Sequence, residues 1–360
     1  MNRTLKAVIV AVALIIVGAV LAGCSLWGLD GAWDQLSGKN NMVTTQETIT
    51  GEFTNIDVDV FWLDVQLIPS SDGTSYYKAT TYDSRPCTVT VENGTLMVRQ
   101  QDNRKWHQHI GIYWEKTSLQ VYLPEDTYGQ LTIQSDTSDV TIPAGFTFEN
   151  ITITTDTGDV AIKAQVDGDL NITCSTGDIR LVGIAAKAIC ATTSTGDMDI
   201  SQTKCDNLSI STTTGYCQLE TLNVAEKLLA TSSTGGKFLN KVDCGSLSIT
   251  GTTGDTRLNN VKVSADAQME STTGDWKLYN VTVSGDAKME SDTGEWEFNR
   301  FDAANITIDT DTGDVEGTLL SDKIFFVDTD TGDVEVPRTT TGGKCEITTD
   351  TGDIEIEIVP

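Results

Sequence analysis

Basic residues are scarce in this chain: 24 Lys and Arg stand against 52 Asp and Glu, giving a net charge of −28. Nucleic acids and anionic lipid surfaces reward clusters of Lys and Arg, so this imbalance argues against both as direct partners. Cations and cationic polymers suit it better. Histidine is nearly absent, with only His107 and His109, two apart and next to Trp106. Two such ligands without nearby acids make a poor metal site, and Gln100–His109 reads as a polar surface loop. Aromatics are few at 7% and prolines number six, a balance that fits a Thr/Gly/Asp-rich repeat protein and not a disordered one.

What is abundant is one phrase, Thr-Gly-Asp. Thr-Gly pairs place glycines at Gly158, Gly177, Gly196, Gly215, Gly235, Gly254, Gly274, Gly294, Gly313, Gly332 and Gly352, always 19 or 20 residues apart. A degenerate copy, Asp136-Thr137-Ser138-Asp139, lies one period earlier. A fixed period of this length is the signature of a solenoid, because one unit cannot bury its apolar side without stacking on the next. Counted from the glycine, positions −7 and −5 are apolar (Ile151 and Ile153, Leu208 and Ile210), as are +2 and +4 (Val160 and Ile162, Ile354 and Ile356). Several coils add a third apolar point at +7, such as Val261 and Phe301. Spacing of two puts side chains on one face of a strand, so the sequence predicts an all-β solenoid of about twelve coils. At ~4.8 Å per coil the rod would be about 55–60 Å long. Glycine marks a corner that needs positive φ, and the Asp after it can accept backbone N–H bonds in its own turn.

Ahead of the repeats, Arg3 and Lys6 precede Ala7–Leu29, a run without charge that is long enough to span a bilayer. Positive charge on its leading side predicts a cytoplasmic N-terminus and an extracellular remainder. Leu21-Ala22-Gly23-Cys24 also fits a bacterial lipoprotein box, in which Cys24 would be lipidated, so residues 1–29 are either a transmembrane anchor or a lipoprotein signal. Residues 30–46 read as a juxtamembrane spacer, 47–130 as a β region opening the stack, and 131–360 as the repeat solenoid. Alternating glutamates in Ile354-Glu355-Ile356-Glu357-Ile358 would discourage pairing at a terminal edge.

Several motifs resemble chemistry. Asp-Thr-Gly at Asp156, Asp292, Asp311, Asp330 and Asp350 spells an aspartic-protease triplet, but its strict period and Ser or Thr substitutes in sister coils mark a corner. In the last coils, Asp292, Asp311, Asp314, Asp330, Asp333, Asp350 and Asp353 form an acidic ladder. Stacked carboxylates repel by about 1 kcal/mol per neighbouring pair in water, which calcium could relieve or turn amides could absorb. Trp276 and Trp296 share the +2 position of adjacent coils, as a stacked core pair or as a sugar platform. The eight cysteines are irregularly spaced without a Cys-x-x-Cys pair and read as mostly free, buried thiols, with Cys217 and Cys345 at core positions.

The apolar anchor, Phe53…Asn55-Ile56, Pro69-Ser70-Ser71-Asp72-Gly73, Asp102-Asn103-Arg104-Lys105-Trp106, Val121-Tyr122-Leu123-Pro124 and the Ser/Asp-Thr-Gly-Asp coils together resemble the bacterial DUF4097 family of β-strand repeat proteins. That resemblance implies an envelope-attached solenoid and brings no catalytic residues. The resulting expectation is a non-enzymatic, membrane-anchored cell-surface module, an adhesin or envelope-binding protein for wall polymer, glycan or protein. The other expectation is an accessory in envelope-stress signalling through a protein partner. No cofactor is expected, calcium aside.

Overall fold

The predicted alternation of apolar and polar residues becomes strands with one face inward, except around Val334 and Val336, where the inner positions stay open. The computed structural model of the chain describes residues 41–103 and 116–359; the anchor with Cys24 and the pair His107 and His109 lie outside the described residues. Within the described residues the chain is all-β, a parallel β-solenoid of about 11 turns, and no helix is long and apolar enough to cross a membrane.

Each coil stacks on the next in strict register. One core column, at −5, runs Ile153, Ile172, Ala191, Ile210, Ala230, Ile249, Met269, Met289, Ile308, Ile347 and ends on Val327. All but Val327 are essentially fully buried. Three inward faces line each coil, at −7/−5, +2/+4 and +7/+9, so three corners are needed.

The glycine makes the first corner. The second falls at +6, where Gly183, Gln202, Thr221, Lys241, Asn260, Asn280 and Arg300 all have φ between 52 and 70°. The third absorbs the difference between 19- and 20-residue coils as a bulge: Val224 and Lys227 lie opposite Cys244 and Ser246, and Val283 and Asp286 opposite Ala303 and Asn305.

Neither end of the stack follows chain order. The N-terminal region comprises β1 (Met42–Thr48), β2 (Asn55–Val60), β3 (Asp64–Pro69), β4 (Tyr76–Tyr82), β5 (Cys87–Glu92), β6 (Thr95–Gln100), β7 (Ser118–Leu123), β8 (Thr127–Thr137) and β9 (Val140–Ile142). Strands β2 and β3 form a coil directly on β8 and β9, and β6 and β7 form a further coil outside it. Antiparallel strands then cover this outer coil, β5 along β6, and β4 followed by β1 along β7. Strand β1 begins at Met42, within the stretch expected to be a spacer.

At the other end, the last coil of the chain tucks inward. Gly343–Thr351 pairs with Trp296–Thr312 on one side and Lys323–Thr331 on the other. Ile354–Ile358 likewise lies between Val315–Leu319 and Val334–Glu335. The expected edge role of Glu355 and Glu357 is therefore corrected: the outermost coil is the penultimate one. Of the described cysteines, Cys174, Cys205, Cys217, Cys244 and Cys345 are buried, Cys87 is half-buried and Cys190 is exposed, all free.

Candidate functional site

The stacked Thr-Gly-Asp corners form the most regular surface of the molecule. Each glycine combines positive φ with close backbone approach. At Gly196 (φ 151°) a Cβ would sit 2.0 Å from the carbonyl oxygen of Gly177. The buried hydroxyls at −3 tie down that carbonyl: Thr193 Oγ1 donates to Gly177 O at 3.1 Å, and Thr212 Oγ1 to Gly196 O at 3.2 Å.

The aspartate after each glycine does something the sequence reading missed. Its Oδ1 accepts the backbone N–H of the same position in the neighbouring coil, not one in its own turn. A first run links Asp64 to Asp139, Asp159, Asp178, Asp197 and Tyr216, with the last four N···O distances between 2.7 and 2.9 Å. A second links Asp255 to Asp275 and Glu295 at 3.1 Å, and a third Asp314 to Asp353 and Asp333 at 2.8 Å. Charge-assisted amide bonds of this kind are roughly twice as strong as neutral ones, which offsets the repulsion of about 1 kcal/mol between neighbouring carboxylates. The relay stops at Tyr216 and Gly236, where no carboxylate follows the glycine. The signal was present in the sequence, but a bond between coils is invisible in any one coil.

Of the residues read as a calcium ladder, Asp314, Asp333 and Asp353 belong to this third relay. Asp292, Asp311, Asp330 and Asp350 lie at −2, exposed along the outer side of the corner. Among the described residues no three His, Cys, Asp or Glu side chains converge into a group that could hold a metal ion. Asp156 and its equivalents form one exposed file along the corner, not a facing pair.

Inside the corner, Trp276 and Trp296 stack with centroids 4.9 Å apart at 10°, both buried, and donate their indole N–H to Ser271 and Ser291. They are core residues. The same +2 column holds Lys237, only 2% exposed, between Cys217 and Thr256. Gly251 makes room for it: a Cβ there would lie 2.4 Å from Nζ. Neither Lys237 Nζ nor Thr256 Oγ1 has a hydrogen-bond partner among the described residues. Burial lowers the lysine pKa and pushes the Cys217 thiol up to about 11.

Lys237→Met is therefore expected to stabilise the fold at neutral pH by ~1–3 kcal/mol, since it removes an unpaired buried cation. With the folded pKa depressed below the unfolded one, wild-type stability rises as pH climbs through that interval toward the ordinary lysine value of ~10.4. The advantage of Lys237→Met should narrow over the same range in urea titrations. A constant advantage, or a loss, would mean that Lys237 is charged and satisfied.

The Toastrack DUF4097 family profile matches residues 53–236 and again 224–331. Among solved structures, a "putative adhesin" from Bacteroides fragilis NCTC 9343 is 12% identical, covering 88% of this chain and 97% of its own, with a TM-score of 0.31. A "putative adhesin" from Parabacteroides distasonis ATCC 8503 is 12% identical over 76% of this chain and 98% of its own, with a TM-score of 0.39. A "putative lipid binding protein" from the same strain is 13% identical over 79% and 98%, with a TM-score of 0.32. No curated protein matches the sequence.

Proposed function

Because the chain belongs to the Toastrack DUF4097 family, we propose that it is a non-enzymatic, membrane-anchored cell-surface solenoid that binds envelope or matrix polymers as an adhesin. The observation carrying this reading is the register of the corners. In-register stacking repeats one exposed Thr every ~4.8 Å along the rod, with one or two carboxylates beside it in every corner except those of Tyr216 and Gly236. A periodic acidic file of this kind suits a repetitive partner with spaced cationic or hydroxyl groups. The uncharged run Ala7–Leu29, whether as a retained helix or through lipidation at Cys24, would tether it outside the cell.

Full-length protein is expected to co-sediment with isolated bacterial cell walls. Neutralising the outer file (Asp292→Asn, Asp311→Asn, Asp330→Asn, Asp350→Asn) should reduce retention several-fold without lowering the melting temperature, since these carboxylates lie outside the amide relay. Equal retention of both proteins, or none of either, would count against the reading. Membrane fractionation of Cys24→Ser distinguishes the tethers, because only a lipoprotein would lose processing.

Calcium is expected to act on the acidic ladder of the last coils only as a screening ion. Oδ1 of both Asp314 and Asp353 already accepts an amide. Millimolar calcium should then raise the melting temperature no more than millimolar magnesium. A calcium-specific rise of several degrees would make the acidic coils ion sites instead. A second reading, an accessory acting through a protein partner, is favoured by the open end of the stack.

A further inference from the structure

The two ends of the solenoid are finished differently. At the N-terminal end, antiparallel strands β5, β4 and β1 lie over the outer coil. At the C-terminal end, the outer coil of Lys323–Thr331 and Val334–Glu335 pairs only inward, with Gly343–Thr351 and Ile354–Ile358, and no described strand pairs along its other side. Its core positions are consequently open: Phe325, Val327 and Val336 are half-buried, while the equivalent residues one coil inward, Cys345, Ile347 and Ile356, are buried.

The outward positions of this strand are apolar too. Ile324 and Phe326 are 38 and 55% exposed, and on the next face Val334, in the core column of the buried Ile354, is 44% exposed; these are three of the five exposed large hydrophobic side chains among the described residues. Neighbouring coils keep polar groups at the positions of Ile324 and Phe326, such as Asn305 and Thr307 on the strand Trp296–Thr312, and Lys344 and Glu346 one coil inward. An edge strand open on one side, with an apolar inner face and an apolar outer half, is a template for an added strand.

Charge selects the occupant. The outer half of the strand that is not apolar is acidic, with Asp328 and Asp330 exposed and Asp333 and Glu335 following on the next face. A second copy would bring the same carboxylates against these, in a chain that already carries −28. Like charges placed across neighbouring strands are destabilising, whereas opposite charges contribute.

We propose that the edge strand Lys323–Thr331 is a docking site for an extended basic segment of a partner protein. That segment adds as a further strand, covering Phe325 and Val327 with alternate apolar residues and setting Lys or Arg against Asp328 and Asp330. This surface shares only Asp330 with the polymer-binding reading, whose other carboxylates file along the corner while the edge closes the end of the rod.

The test uses full-length protein and a labelled, end-capped nine-residue peptide of alternating valine and lysine, with a valine–glutamate peptide as control. Fluorescence anisotropy should show saturable, salt-sensitive binding of the lysine peptide only. Phe326→Glu should weaken it about tenfold, and the double variant Asp328→Lys, Asp330→Lys should transfer binding to the glutamate peptide. The pair Asp136→Lys, Asp156→Lys at the opposite end should leave binding unchanged. All substituted side chains are exposed, so far-UV circular dichroism and melting should stay as in the parent. Absent binding, binding indifferent to the charge swap, or binding lost equally on changing Asp136 and Asp156 would overturn the proposal. So would a dimer in sedimentation velocity that Phe326→Glu dissolves, which would assign the edge to a second copy.

Discussion

Gly215→Ala should cost the solenoid ~3–5 kcal/mol, more than most single substitutions do. Two penalties add at this position. The backbone sits at φ 151°, where an L side chain is strained by ~1–2 kcal/mol, and the new Cβ would lie 2.0 Å from the carbonyl oxygen of Gly196 and 2.6 Å from its carbon. That neighbour is backbone, held in place by Thr212 Oγ1, so it cannot rotate away. Relief requires the two coils to part, which stretches the bond from Gly196 N to Thr214 O, 2.9 Å long. Gly183→Ala is the matched control. Its φ of 70° is also positive, yet nothing lies within 4 Å of the added Cβ, so only the backbone strain of ~1 kcal/mol remains. Urea unfolding followed by circular dichroism separates the two. Because solenoid stability is a sum of coils and nearest-neighbour interfaces, Gly215→Ala is also expected to split the transition in two. Equal costs at Gly183 and Gly215 would mean that crowding between coils is not what keeps the corner glycine.

That contrast marks what a sequence of this type discloses. Its period, inward columns and glycine corners are repeated eleven times over, so each coil corroborates the next. The second corner is repeated as faithfully in the backbone but not in residue type. Gly183, Asn260 and Asn280 are ordinary occupants of the left-handed region, while Gln202, Thr221, Lys241 and Arg300 are held there by the coils on either side. No local pattern could have found it. The amide relay was half visible: the aspartates were conspicuous, but their acceptors' partners lie a full coil away. The order of the last two coils was hidden for another reason. Gly332 and Gly352 follow the same spacing as every other pair, and the same register serves whichever coil stacks first. The only trace in the sequence is the apolar pair Ile324 and Phe326 at positions where neighbouring coils carry polar groups.

The stacked indoles give the second large effect. Trp296→Ala is expected to cost ~3–5 kcal/mol, the usual range for deleting a fully buried aromatic. Trp296 is 0% exposed, packs flat on Trp276 and lies 6.5 Å from the ring of Phe298. Its N–H donates to Ser291 Oγ at 2.9 Å, and that hydroxyl also pairs with Thr310 Oγ1 at 2.9 Å, so the pair knits three coils together. Trp296→Phe keeps much of the packing and leaves Ser291 its threonine partner, so it should cost only ~1–2 kcal/mol. Tyr216→Ala, at a side chain 66% exposed on the same corner, should stay within about 0.5 kcal/mol. Chemical denaturation of the three variants orders them. Should Trp296→Ala prove nearly neutral while weakening polymer binding, the indoles would be a surface platform after all. The expected order instead places the aromatic stack in the spine of the rod, where it aligns the acidic corner from within.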